Sequence, residues 1–200
     1  MELRTIKAPA GSGGGGGAFS DPRKNIAVMG LAEGLIVADF GAGSGHYSIA
    51  AAKAVGHSGK VYAIDIQQAL LLRLKAAAGA EQVRNIEILR GDIEQVGGTK
   101  LREKMVDVVL LANILFQVDH KGNLLAEAKR VLKEKGRLFA IDWTDSFGGL
   151  GPPPSDVVTG QEASELFTQA GFTVEKRFDA GAHHWGLLAR RTKDEVRITN

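Results

Sequence analysis

VADFGAGSGHYSIAAAKAVG, residues 37–56, sets glycines at 41, 43 and 45 among small residues, directly after an apolar run that closes around Asp39. Glycine lacks a Cβ, so such a run permits a tight turn and lets a ligand press against bare main chain. The segment that follows, His46 to Val55, reads as a helix, whose first turn offers unpaired N–H groups to the same ligand. The spacing is G-x-G-x-G. A dinucleotide fingerprint, G-x-G-x-x-G, needs its last glycine where His46 stands, so a nucleoside with a small charged tail fits better than a pyrophosphate. A nicotinamide-dependent oxidoreductase is disfavoured on the same ground.

Working outward, β-rich apolar runs recur at Leu35 to Phe40, Lys60 to Asp65, Ile86 to Leu89, Val106 to Ala112 and Gly136 to Asp142. Helical segments lie between most of them, at Gln68 to Ala78 and Lys121 to Leu132, with another later at Gln161 to Ala170. The runs are apolar on both faces, as strands buried between helix layers must be. The pattern predicts a doubly wound α/β domain with a mostly parallel, Rossmann-like sheet. Near the C-terminus, FTVEKRFDA and HHWGLLARR are separated by a short turn and predict a hairpin that adds an antiparallel strand. A short helix precedes the first strand, with Asp21 as cap, Pro22 in the first turn and Gly30 at the stop.

Residues 1–20 form an arm in this reading, set apart by the glycine run AGSGGGGGA at 10–18, and residues 21–200 form the domain. The arm is either a flexible tail or a lid that closes over a ligand. Two hundred residues with 44% hydrophobic content suit one core. A formal charge of +2 is too small to imply a nucleic-acid or membrane partner, and Arg190, Arg191 and Lys193 read as a solvated end. The absence of cysteine excludes disulfides, thiolate zinc and a catalytic thiol. No apolar run is long enough to cross a bilayer and no signal segment opens the chain, so a cytoplasmic location is expected.

In a doubly wound sheet, ligands bind beyond the carboxyl ends of the strands. Asp65 ends the second strand, where a carboxylate accepts from both hydroxyls of a ribose; capping the next helix is its other reading. Asp92, in RGDI, ends the third run and can accept from an exocyclic amino group such as that of adenine, or serve only as a turn residue. A glycine loop followed by two aspartates at three consecutive strand ends describes an adenosine pocket.

With DFGAGSG, VYAIDIQ and RGDI in place, the chain resembles the class I S-adenosylmethionine-dependent methyltransferases over nearly all of residues 21–191. The resemblance implies a seven-stranded sheet with one reversed strand and S-adenosyl-L-methionine as cofactor. It implies that Asp39 and the loop Gly41, Ala42, Gly43 to Gly45 hold the methionine moiety, Asp65 the ribose and Asp92 the adenine amino group. Ile66 and Ile93 would flank the adenine ring, and Asn113 would approach the sulfonium end. VLKEKGRLFAIDW followed by ELFTQAGF is similar to the small ubiquinone and menaquinone biosynthesis methyltransferases. The implied function is methyl transfer to a small, apolar or aromatic acceptor; a non-catalytic cofactor-binding protein of the same fold is the alternative.

In-line methyl transfer is accelerated chiefly by alignment and exclusion of water, and needs a base only for a protonated acceptor. Asn113, Ile114, Phe116, Asp142 and Trp143 should line the acceptor side, with Asp142 a candidate catalytic carboxylate. NILF at 113–116 lacks the prolines of the enzymes that methylate base amines, and a lone Asp142 gives no reason to expect a metal. Of His183 and His184, predicted to enter the last strand with opposite orientations, one can serve as general base. His46 and Tyr47 should shape the methionine end, unless Tyr47 packs against a neighbouring helix. The loop TDSFGGLGPPPSD, 144–156, is long for such a connection and should wall the acceptor pocket.

Overall fold

A computed structural model describes residues 20–147 and 151–192. Apart from Ser20, the arm lies outside these residues, as do 148–150 of the long loop and Lys193. The elements are α1 (Pro22–Met29), β1 (Ile36–Phe40), α2 (His46–Val55), β2 (Lys60–Asp65), α3 (Gln68–Ala80), β3 (Ile86–Arg90), β4 (Val106–Ala112), α4 (Lys121–Val131), β5 (Leu132–Trp143), α5 (Gly160–Gln169), β6 (Phe172–Gly181) and β7 (His184–Arg191).

Seven strands form one sheet in the order β3-β2-β1-β4-β5-β7-β6. Neighbours are parallel except that β7 runs against both β5 and β6, so the hairpin supplies the reversed strand. Alternate side chains of each central strand enter different helix layers. Ala38, Phe40, Val109, Leu111 and Leu187 pack with Leu124, Leu125 and Phe167 of α4 and α5. Val37, Val108, Leu110, Phe139 and Ile141 pack with Ile26, Met29, Ala51 and Val55 of α1 and α2.

The helix ends follow local chemistry. Asp21 accepts from the N–H groups of Arg23 and Lys24, and Gly30 stops α1 in the left-handed region at φ 59°. Thr159 and Glu162 form a reciprocal capping box at α5, which therefore starts one residue earlier than its apolar spacing predicted. Leu132 ends α4 rather than extending it: its extended backbone opens β5, which pairs with β4 from Val106 onward through an irregularity.

Arg190 is exposed, as expected, and pairs with Glu175 across the β6–β7 hairpin, but Arg191, also in β7, is buried rather than solvated and donates to the Leu132 carbonyl at 2.5 Å. Reversal of connection direction between β1 and β4 opens a cleft at their carboxyl ends, the position where such sheets bind ligands. At the opposite end of the same pair, Ile36 N–H donates to the Asp107 carboxylate at 3.0 Å, a contact spanning 71 residues.

Candidate functional site

The loop after β1 hangs from the end of β2, since Gly41 and Ala42 both donate to the Ile64 carbonyl at 2.9 Å. Gly41, Gly43 and Gly45 have φ of 74°, 54° and 92°, the left-handed region that favours glycine. Their needs differ. A methyl group at Gly41 would stand 2.6 Å from Ile114 Cδ1, and one at Gly45 would overlap the Leu74 side chain, whereas one at Gly43 would meet nothing within 4 Å. Two of the glycines serve the packing of the protein itself, and the third leaves open space.

Asp39 lies beneath the first turn of α2 with 1% of its surface accessible and accepts from the Ser48 hydroxyl at 2.5 Å. Burial raises its pKa to about 7; the Ser48 hydroxyl and N–H oppose that shift, and the nearby Asp65 charge adds to it. A cation entering the cleft would favour the carboxylate again. Asp65 accepts from Gly43 N–H at 2.9 Å and from Gln67 N–H at 2.8 Å, so it ties the glycine loop to the start of α3. A carboxylate has about four acceptor positions, which leaves about two for a ligand's vicinal hydroxyls. Asp92 accepts from Glu94 N–H at 2.9 Å through one oxygen, the turn role that its sequence allowed, and its other oxygen is not used in that turn. Ile66 is 53% exposed at the end of β2, while Ile93 is buried at 8%. An exposed isoleucine at a strand end suits contact with a flat apolar ring. His46 is exposed at the first position of α2. Tyr47 is committed elsewhere. Its hydroxyl bonds Ser20 at 2.6 Å and Asn25 at 2.9 Å, and its ring is buried between α1 and α2, the helix-packing alternative.

On the acceptor side, Asn113 takes φ 55° immediately after β4, and its buried Oδ1 has no hydrogen-bond partner. An orphaned acceptor beside the glycine loop fits a donor from a bound ligand. Asp142 is not placed for catalysis. It is 1% accessible, and its oxygens accept from Leu115 N–H and Trp143 N–H at 2.8 Å each. Burial raises its pKa to about 7, opposed by N–H groups of residues 114–116 and 143. Its role is to anchor the turn that carries Asn113.

The two histidines part company because β7 begins at His184, leaving His183 in the turn before it. His184 is buried with its ring 4.3 Å from that of Trp143. His183 Nδ1 lies 2.9 Å from the Asp145 carboxylate, and its ring stacks on Phe147 at 4.1 Å. Thr144 N–H donates to the His183 carbonyl at 2.9 Å, so the hairpin turn is fixed to the carboxyl end of β5. Gly151 of the long loop lies against the Trp143 ring, where an added methyl would stand 2.7 Å from Cε3, and Pro152 is buried. Neither the Asp145–His183 pair nor the Phe147 stack was legible in sequence, because 38 and 36 residues separate the partners. Among the described residues, no group of three or more His, Asp or Glu side chains can hold a metal ion, and no helix is long and apolar enough to cross a membrane.

The family model for a methyltransferase domain matches residues 38–140. The demethylmenaquinone methyltransferase of Lactococcus lactis is 31% identical over 88% of this chain and 82% of its own length. A ubiquinone/menaquinone biosynthesis C-methyltransferase of Paraburkholderia phymatum is 32% identical over 60% of this chain, which spans 47% of that relative. The crystal structure of a SAM-dependent methyltransferase from Aquifex aeolicus superposes with a TM-score of 0.79 at 31% identity, covering 86% of this chain and 90% of that one.

Proposed function

From the premise that this chain belongs to the class I S-adenosylmethionine-dependent methyltransferases, we propose that it methylates a small hydroxylated aromatic acceptor held between the hairpin turn and the loop after β5. The observation that carries the acceptor class is the Asp145–His183 pair beside Phe147 and Trp143: a base held in one orientation among aromatic faces. The name of the Lactococcus lactis relative specifies demethylmenaquinone, which makes that ring the first acceptor to test.

The cleft fits the cofactor in three respects: bare backbone at Gly43, spare acceptor capacity on Asp65, and the orphaned Asn113 Oδ1. Asp39 and residues 41–45 would hold the methionine end, Asp65 the ribose and Asp92 the adenine edge, with Ile66 and Ile93 against the ring. When bound, S-adenosylmethionine supplies an electrophilic methyl group on a positively charged sulfur. The protein's own work is alignment and proton transfer. Asp142 holds the turn at residues 114–116 so that Asn113 faces the glycine loop. Trp143, Phe147, Gly151 and Pro152 exclude water from the acceptor. Asp145 holds His183 by Nδ1, directing Nε2 away from Asp145 to take the proton that the acceptor loses as its new bond to carbon forms.

Transfer of radiolabelled methyl to reduced demethylmenaquinone and to simpler dihydroxylated aromatics tests this reading. Asp65→Ala is the control for cofactor dependence. Label in an aromatic product with the intact protein alone supports it. Label found only in RNA, protein or aliphatic pools of a cell extract would overturn the acceptor class.

A further inference from the structure

Glu127 lies in α4, has no accessible surface and takes no part in the chemistry above. Donors surround its carboxylate: Gly97 N–H at 2.7 Å, Thr99 N–H at 3.4 Å, the Thr99 hydroxyl, and Arg130 Nε and Nη2 at 2.7 Å each. Arg130 Nη2 also donates to the Leu101 carbonyl at 2.8 Å. Burial acts to raise the Glu127 pKa, but the hydrogen bonds from Arg130, Gly97 and Thr99 outweigh it and hold the carboxyl below its usual range. An ion enters a core only where donors replace its hydration, and an apolar side chain would fill the same space at less cost. What the ion adds is direction, and its bonds converge on residues 97–101.

That segment folds back on the turn after β3. Gly98 carbonyl accepts from Asp92 N–H at 3.2 Å, and Gly91 N–H donates to the Asp65 carbonyl at 3.2 Å. A methyl group at Gly98 would overlap the Asp92 carbonyl, and one at Gly91 would stand 2.7 Å from the Gly98 carbonyl. The two strips of backbone are therefore in direct contact, so a shift of one moves the other. Glu94 ties the same loop to the start of α4, accepting from His120 N–H at 2.7 Å.

We propose that Glu127 is a positioning residue for recognition of the adenine base. Through Gly97 and Thr99 it fixes the Gly98 carbonyl against Asp92 N–H, and so sets where the Asp92 carboxylate and Ile93 meet the base. The inference rests on the reading of Asp92 as the adenine contact given above. Its consequence is selective: loosening the clamp should weaken discrimination at the amino group more than it weakens binding in general.

The test compares the affinities of S-adenosyl-L-homocysteine and its hypoxanthine analogue, S-inosyl-L-homocysteine, which presents an oxygen where adenine has its amino group. Glu127→Gln puts an NH2 among groups that are all donors. Thr99→Val removes one hydroxyl donor at nearly constant shape and keeps the question open to test if Glu127→Gln fails to fold. The native protein should prefer the adenine compound by about tenfold or more, since an acceptor facing an acceptor leaves a buried group unpaired. In the variants the preference should shrink to roughly threefold or less, chiefly through weaker binding of the adenine compound. Phe172→Leu, a core change in β6, controls for lost stability: it should lower the melting temperature and leave the preference intact. Variants that fold and keep the native preference would overturn the proposal. Native protein that binds both compounds without preference would overturn the Asp92 reading beneath it, and native protein that binds neither would remove the cofactor-site assignment itself.

Discussion

Replacing Gly43 by alanine separates what a ligand requires of the backbone from what the protein requires. Gly43 sits at φ 54°, where a Cβ costs about 1–2 kcal/mol, and its added methyl would meet nothing within 4 Å. Strain is then the whole cost to stability, a fall of about 2–8 °C in melting temperature for a chain of this size. Gly41→Ala carries the same strain at φ 74° and also sets a methyl 2.6 Å from Ile114 Cδ1. Overpacking adds about 1–3 kcal/mol, for a total of about 2–5 kcal/mol. Binding should reverse the order of interest. The methyl at Gly43 would occupy cleft space that the cofactor needs, and a loss of about 1.4–2.8 kcal/mol there corresponds to a 10- to 100-fold weaker Kd. Thermal denaturation and calorimetric titration with S-adenosylhomocysteine measure both quantities. If Gly43→Ala shows the small thermal shift but binds within about twofold of the native protein, no ligand presses on that residue and the argument from bare backbone fails.

Asp39 makes cofactor binding depend on pH. Its folded pKa of about 7 lies above the ordinary 3.8, so its contribution to the ligand-free fold is complete below about 3.8 and is lost as pH rises through about 7. The melting temperature of ligand-free protein should therefore fall between about pH 4 and pH 7 and level off above that, less steeply in Asp39→Asn, while cofactor affinity rises by up to about tenfold per unit below pH 7. A native affinity that is flat over this range would contradict the linkage. Asp142→Asn turns one acceptor into a donor facing Leu115 or Trp143 N–H and should cost about 1–3 kcal/mol in urea unfolding; unchanged stability would remove its anchoring role. His183→Ala should lower kcat by about 10²- to 10⁴-fold with cofactor affinity kept, and Asp145→Asn should lower it less. Retention of kcat in His183→Ala would end the base assignment.

The parts of the site that sequence made legible are those built from neighbours in the chain. Gly41 to Gly45, Asp65 and Asp92 each follow a strand directly, so the apolar runs alone brought them to one edge of the sheet. Asp142 was placed at that edge by the same logic, but its chemistry was misjudged, because its partners at Leu115 and Trp143 come from two different strand ends. The partners of His183 depend on how β7 registers against β5, with His184 opposite Trp143, and no local pattern specifies that register. The same is true of Glu127, whose contacts to Gly97 and Thr99 lie 30 and 28 residues away. Tyr47 shows the opposite failure: adjacency to the glycine loop suggested a ligand role, and packing between α1 and α2 claimed the side chain.

The contact between Ile36 and Asp107 has a kinetic consequence. It marks β1 and β4 as strands that can pair only after a 71-residue loop has closed, whereas β1 with β2, or β6 with β7, join segments much closer along the chain. Closure of a long loop is entropically costly and slows folding. The cleft lies between these two late partners, so a refolding chain should acquire most of its helical signal before it can bind cofactor. Ligand added during refolding would then stabilise the product by slowing its unfolding, with little effect on the rate at which it forms.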